Sequence, residues 1–280
     1  MRNGIRLIAL DLDGTLLNSS KELPPENEAA LRRAAQSGVE IVPTTGRFYG
    51  AMPKCIRDLP YVHYVISVNG AQIYDFRNSR ILGKAELPWQ QAVEIMKYLD
   101  TLPVIYDCYM DNQAWMTRRL KENIDEFAPD EHYRTMLHEL RQPVEELKAF
   151  LAERKQDVQK IQLFLRDMAL RERLLKELSD RFAQIIVSSS VVNNIEINHA
   201  EANKGRALRM LAEYLQIPAE CTMAFGDGLN DLTMLREAGI GVAMENAHPL
   251  LKEQADAVTA SCDDLGVAKG IARFCFPDGI

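Results

Sequence analysis

The chain has 280 residues, 47% hydrophobic and 26% charged, enough to bury a substantial core and to form two domains of ordinary size. A formal net charge of −7 argues against nucleic acid or an anionic membrane as partner, because both are held by clustered Lys and Arg. The first element in the chain is a near-continuous apolar run over 5–10, which suits a strand covered on both faces of a parallel sheet. It ends in Asp11-Leu12-Asp13-Gly14-Thr15. That places two carboxylates at the carboxyl edge of a strand, where open α/β sheets form their ligand crevice. A polar stretch over 18–22 leads to Pro24-Pro25 and a helix carrying Leu31, Ala34 and Ala35, which Gly38 ends before a strand at 39–42. This β-α-β unit delivers Pro43-Thr44-Thr45-Gly46-Arg47 to the same edge, with hydroxyls, a flexible glycine and a guanidinium suited to an anion. A helix at 51–59, a strand at 64–68, a tight Asn69-Gly70 hairpin turn and a return strand at 71–75 are predicted next.

From 87 to about 190 the pattern shifts to charged helices at 90–99, 143–154 and 168–181. Strands at 104–110 and 114–117 flank a hairpin at Asp111-Asn112, and further strands fall at 160–165 and 184–188. Trp89, Trp115, Tyr106 and Tyr109 read as packing residues. The first architecture returns after 193–197: Asn203 caps a helix opened by Lys204, with Leu208, Leu211, Ala212 and Leu215 on one face. The strand at 221–225 again ends in acid, Gly226-Asp227-Gly228-Leu229-Asn230-Asp231. Strands at 239–243 and 257–259, with helices from His248 and Asp264, complete the sheet. The expected fold is α/β: a doubly wound, mainly parallel, Rossmann-like core at 1–86 and 191–280, with an α/β domain inserted at 87–190.

Asp11, Asp13, Asp227 and Asp231 in one crevice would repel one another unless a cation joined them. Oxygen donors alone, with room for water and phosphate, favour Mg²⁺ over Zn²⁺ or a closed Ca²⁺ cage. Lys204 and the Thr45-Gly46 loop supply further compensation for a phosphate. The five cysteines contain no C-x-x-C and the five histidines no H-E-x-x-H, so neither a disulfide framework nor a zinc site is indicated, and a reducing cytoplasm is the economical location. The N-terminal run is broken too early for a signal peptide, and no run is long enough to span a bilayer.

The four segments in this order, Asp11 to Thr15, Thr45-Gly46-Arg47, Lys204 and Gly226 to Asp231, resemble the motifs of the haloacid dehalogenase superfamily. The position of the insertion, with Asn69-Gly70-Ala71, 243–247 and Gly266-Val267-Ala268, resembles the Cof-type phosphatases with a large α/β cap. Leu265 departs from the acidic residue that commonly precedes this last glycine. The resemblance implies a phosphatase of small phosphorylated metabolites in which Asp11 is the nucleophile, forming an aspartyl-phosphate, and Asp13 the general acid and base. It further implies Mg²⁺ on Asp11, the Asp13 backbone carbonyl and Asp227. Phosphate contacts fall to the backbone at Leu12 and to Thr45, Gly46, Lys204 and Asn230, with Asp231 in support. Arg47 and Asn69 stand between substrate contact and structural pairing. The rivals are a phosphomutase using the same chemistry and a non-catalytic phosphate-dependent binding module. A dinucleotide site is disfavoured because neither Gly226-x-Gly228 nor Gly239-x-Gly241 completes G-x-G-x-x-G. No residue pattern specifies the leaving group or the oligomeric state.

Overall fold

A computed structural model, describing residues 4–277, places the N-terminal apolar run in the strand Leu7–Leu10, buried at all four positions. Burial on both faces follows from its place inside a parallel sheet. Among the described residues that sheet has five strands, in the order Ala257–Val258, Ile240–Ala243, Thr222–Gly226, Leu7–Leu10 and Glu40–Pro43. The chain steps outward from the first strand to Glu40–Pro43, then returns to the first strand's other side for Thr222–Gly226. Strand order therefore reverses between Leu7–Leu10 and Thr222–Gly226, the switch point at which the connecting segments diverge and leave a crevice. Asp11 and Asp227 follow directly on these two strands.

The strand Tyr64–Ser67 runs beside Glu40–Pro43 through parallel bridges at Ile41–Val62 and Thr44–Ile66. It also heads an antiparallel ribbon with Gln72–Asp75 and Arg80–Lys84. The helix expected at 51–59 is shorter: a 3₁₀ turn at Tyr49–Ala51 precedes Lys54–Arg57, because Pro53, without an N–H, caps this helix. In the helix Pro25–Gln36 the buried Asn27 donates from Nδ2 to the Leu16 carbonyl at 3.1 Å and accepts from the Ala268 N–H at 3.0 Å. It thereby ties the turn after Asp13 to the helix Gly266–Cys275.

The chain divides into two units, one of Met1–Arg47, Met52–Lys84 and Asn203–Ile280, the other of Phe48–Ala51 and Ala85–Ala202. The second contains a six-stranded sheet ordered Ile185–Ser188, Asn194–His199, Lys160–Leu165, Val104–Met110, Gln113–Thr117 and Arg141–Val144. All pairs are antiparallel except the last. Strand alternation separates two faces. Tyr106, Cys108, Leu163, Ile195 and Ile197 join an apolar core with residues of the helices Trp89–Leu99, Leu147–Arg154 and Met168–Arg181. The opposite face carries Asp107, Tyr109, Lys160, Gln162, Glu196 and Arg141. Its charges are paired, Arg141 with Asp107 at 2.8 Å and Lys160 with Glu196 at 3.0 Å.

Three expectations change here. Asn194–His199 pairs with Lys160–Leu165 and Ile185–Ser188, so the second unit extends to Ala202 instead of ending at residue 190. Its alternating Ile195 and Ile197 fit either sheet, and only pairing decides between them. Pro143 lies in the edge strand Arg141–Val144, where a missing N–H is tolerated, and the helix expected from it begins at Leu147. Tyr109 belongs to the polar face, its hydroxyl donating to Gln162 Oε1 at 2.8 Å, whereas Tyr106 and Trp115 pack as expected. Among the described residues no helix is long and apolar enough to cross a membrane.

Candidate active site

Parallel pairing fixes the backbone of the first acid, since the Asp11 N–H donates to the Phe225 carbonyl at 3.0 Å. Its side chain meets Lys204, which opens the helix Lys204–Tyr214 behind the Asn203 cap; the Asn203 Oδ1 accepts from the Arg206 N–H at 2.8 Å. The Lys204 Nζ donates to Asp11 Oδ1 at 2.5 Å and to Asp231 Oδ1 at 2.7 Å, and the lysine is fully buried. The other Asp231 oxygen accepts the N–H groups of Asp227 and Gly228 at 3.0 and 2.9 Å. Asp231 is thus committed to holding the 226–231 loop and the lysine. The neighbouring Asp227 accepts at Oδ1 from the Thr15 hydroxyl at 2.7 Å.

Burial penalises charge throughout this cluster. It raises the Asp11 carboxyl well above the usual range, against the opposing Lys204 charge and with the added repulsion of Asp231 and Asp227. Burial likewise pushes Asp227 up to about 6, the Thr15 hydrogen bond opposing. For Lys204 burial acts downward, but Asp11 and Asp231 outweigh it and hold the ammonium protonated. Counted formally, three carboxylates against one ammonium leave two negative charges for a ligand to offset, and a ligand atom from each of Asp11, Asp227 and Asp231 lies within 4.8 Å of the others. An all-oxygen donor set with that charge fits a hard divalent cation. Of the four acids that the sequence puts in one crevice, Asp11, Asp227 and Asp231 form this side-chain cluster, and the Asp13 carboxylate lies outside it.

Asp13 is held apart from this cluster. Arg47 reaches it bidentately, Nε to Oδ2 at 2.7 Å and a terminal nitrogen to Oδ1 at 2.8 Å, and Lys21 Nζ lies 3.1 Å from Oδ1. Burial would raise this carboxyl, but the two cations bring it down to about 2. Arg47 is therefore a partner of an active-site acid. Lys21 went unassigned in the sequence because its placement depends on a left-handed backbone, φ +63°, in a loop closed by its N–H on the Asn18 carbonyl at 2.9 Å. Thr15 was legible only as part of the first motif.

The phosphate-loop candidates also converge. Thr45 is buried, its hydroxyl accepting from the Arg47 N–H at 3.1 Å and its carbonyl from the Asn69 N–H at 3.0 Å. A side chain at Gly46 would crowd Asn69 Oδ1, which accepts from Asn230 Nδ2 at 3.2 Å. At Leu12, the carbonyl takes the Leu17 N–H at 2.9 Å. Gly14 has φ +83°, and a Cβ there would lie 2.6 Å from Asp227 Oδ2. Gly14→Ala is expected to cost about 1–2 kcal/mol through the left-handed backbone, and to weaken divalent-cation activation by displacing Asp227 from Thr15. Thermal unfolding and a metal titration of activity read these two effects separately.

The chain is similar to phosphatase YwpJ of Bacillus subtilis strain 168, 34% identical over 281 residues that cover 94% of this chain and 98% of the relative. It is 31% identical over 272 residues to the 5-amino-6-(5-phospho-D-ribitylamino)uracil phosphatase YcsE of the same strain, with 96% of each covered. A solved haloacid dehalogenase-like hydrolase from B. subtilis has the same fold, with a TM-score of 0.84 at 31% identity over 95% of this chain and 99% of that one. The family model for haloacid dehalogenase-like hydrolases matches residues 8–271, a span holding all four acids, Lys204 and the insertion. The chain belongs to the haloacid dehalogenase-like hydrolase family and is a phosphatase of its Cof type.

Proposed function

We propose that this phosphatase hydrolyses small phosphorylated metabolites through an aspartyl-phosphate on Asp11, with Mg²⁺ held by Asp11, Asp227 and the Asp13 carbonyl. The observation that carries this reading is Asp11 at the sheet's switch point, bonded to the buried Lys204 and belonging to a cluster in which three acids stand against one ammonium. The ion supplies positive charge that screens the carboxylates from an incoming phosphate and stabilises charge on the transferring group. Asp11 is oriented for attack on phosphorus by its backbone bond to Phe225 and its side-chain bond to Lys204. Lys204, Thr45, Gly46 and Asn230 receive the phosphate oxygens.

Asp13, ionised between Arg47 and Lys21, is in the form that takes a proton from the water attacking the aspartyl-phosphate. To protonate the leaving oxygen in the first half it must take up a proton with the substrate. A phosphate dianion favours that uptake, because it competes for the two cations that keep Asp13 ionised. The second unit is assigned the specificity role, and the reading favours an uncharged, hydroxyl-rich leaving group. YcsE, by its name, takes a monoester of such a group. A cytoplasmic location is part of this reading, since five cysteines without a C-x-x-C give no disulfide framework suited to an oxidising compartment.

The test is phosphate release from an aryl phosphate and a metabolite panel, with Mg²⁺ and with chelator. Equal rates in both conditions count against the cation, and transfer without net phosphate release identifies a mutase. The affinity for Mg²⁺ is expected to depend on pH in one direction. Below about pH 6 a proton occupies Asp227 and must leave before the ion binds, so the activation constant rises at least about tenfold per unit of acidification, and the raised Asp11 carboxyl adds to the dependence in the same direction.

A further inference from the structure

The turn joining Tyr64–Ser67 to Gln72–Asp75 has three consecutive left-handed residues, Val68, Asn69 and Gly70, with φ of +52°, +58° and +93°. Glycine enters this region freely and asparagine tolerates it, whereas a β-branched valine is rarely found there. All three residues are buried. An ordinary two-residue hairpin needs no valine in this conformation, so other contacts must impose it.

Contacts of the turn lead to the segments read as phosphate-binding. The N–H groups of Val68 and Asn69 donate to the carbonyls of Arg47 and Thr45, each at 3.0 Å, which pins the turn to the second-motif loop. On another side, a Cβ at Gly70 would lie 2.4 Å from the carbonyl oxygen of Asn203, the cap of the helix that presents Lys204. Only glycine allows that approach. The Asn69 carboxamide oxygen accepts from Asn230 Nδ2 at 3.2 Å, and a Cβ at Gly46 would come within 2.9 Å of the same oxygen. Rotating the Asn230 carboxamide would set two acceptor oxygens against each other, so this bond fixes which end of Asn230 faces Asn69.

We propose that the turn Val68–Gly70 is a strut that sets the three phosphate-contacting segments against one another, and that Asn69 is a positioning residue acting through Asn230. The proposal rests on the reading of Thr45, Gly46, Lys204 and Asn230 as phosphate contacts. It replaces the role of substrate contact for Asn69 with an indirect one.

A double-mutant cycle tests it. Asn69→Gly keeps a residue at home at φ +58° and removes the side chain, so the turn should persist and the protein should remain folded, which thermal unfolding checks. With Asn230 present, Asn69→Gly is expected to lower kcat/KM for an aryl phosphate about tenfold, mainly through KM, and to weaken inhibition by inorganic phosphate by a similar factor. In an Asn230→Ala background the same change should alter kcat/KM by less than about twofold. Equal losses in both backgrounds, or none in either, overturn the proposal. Gly46→Ala approaches the contact from the other side by forcing the Asn69 oxygen aside, and it too should cost less in the Asn230→Ala background. An equal cost in both backgrounds overturns the proposal even if Asn69→Gly folds poorly. Failure of the unsubstituted enzyme to release phosphate would instead remove the functional reading on which the proposal rests.

Discussion

Asp11→Asn is expected to abolish phosphate release, lowering kcat/KM by about 10⁴-fold or more, while leaving the protein folded. An amide cannot serve as the nucleophile, and losing the group that carries a covalent intermediate has effects of that order. The stability result makes the loss interpretable. The Asp11 carboxyl is raised well above its ordinary range, which means that the folded state disfavours its charge; a neutral isostere relieves that cost. Lys204 keeps Asp231 as a partner. The unfolding midpoint of Asp11→Asn without metal should therefore equal or exceed that of the unsubstituted protein, and should rise less when Mg²⁺ is added. Retention of more than about a hundredth of the activity would point to a different nucleophile.

Lys204→Met has the second largest expected effect, and it falls on both stability and rate. Lys204 is the cation bonded to Asp11 and Asp231, is fully buried, and methionine fills its space without its charge. Breaking a buried ion pair from one side costs about 3–5 kcal/mol, because the remaining charges stay buried and uncompensated. Phosphate release should fall about 10²–10³-fold, the loss typical of removing one preorganised donor to a transferring group. A divalent cation supplies part of the missing positive charge, so Mg²⁺ should raise the midpoint of Lys204→Met more than that of the unsubstituted protein. Thermal unfolding with and without the ion measures this difference; equal increments would show that lysine and cation act on separate charges.

Much of this site was legible along the chain because its cues are local. An apolar run that stops at an acid marks the carboxyl end of a buried strand, as at Leu10-Asp11 and Gly226-Asp227, and a capping asparagine marks the start of the helix carrying Lys204. The motifs and their order placed the acids, the lysine and the insertion. Local cues failed where two partners could serve the same pattern. Asn194–His199 alternates as either sheet would require, and Pro143 reads as a helix start or as an edge-strand residue until the neighbouring strand is known.

The sequence by itself determined which residue types stand at the ends of the parallel strands and in what order. The tertiary structure decided which of them meet, and with what charge. Lys204 and Asp11 are 193 positions apart, Thr15 and Asp227 212, and nothing in the intervening chain records that a lysine would bridge two acids or that a hydroxyl would hold a third. The state of Asp13 shows the consequence: its place in the motif marked a proton carrier, but Arg47 and Lys21, brought in by two separate loops, hold it ionised. The physical reason is range. Backbone patterns are set by neighbours a few residues away, whereas burial and charge pairing are properties of the volume around a side chain, and that volume exists only once the strands have paired.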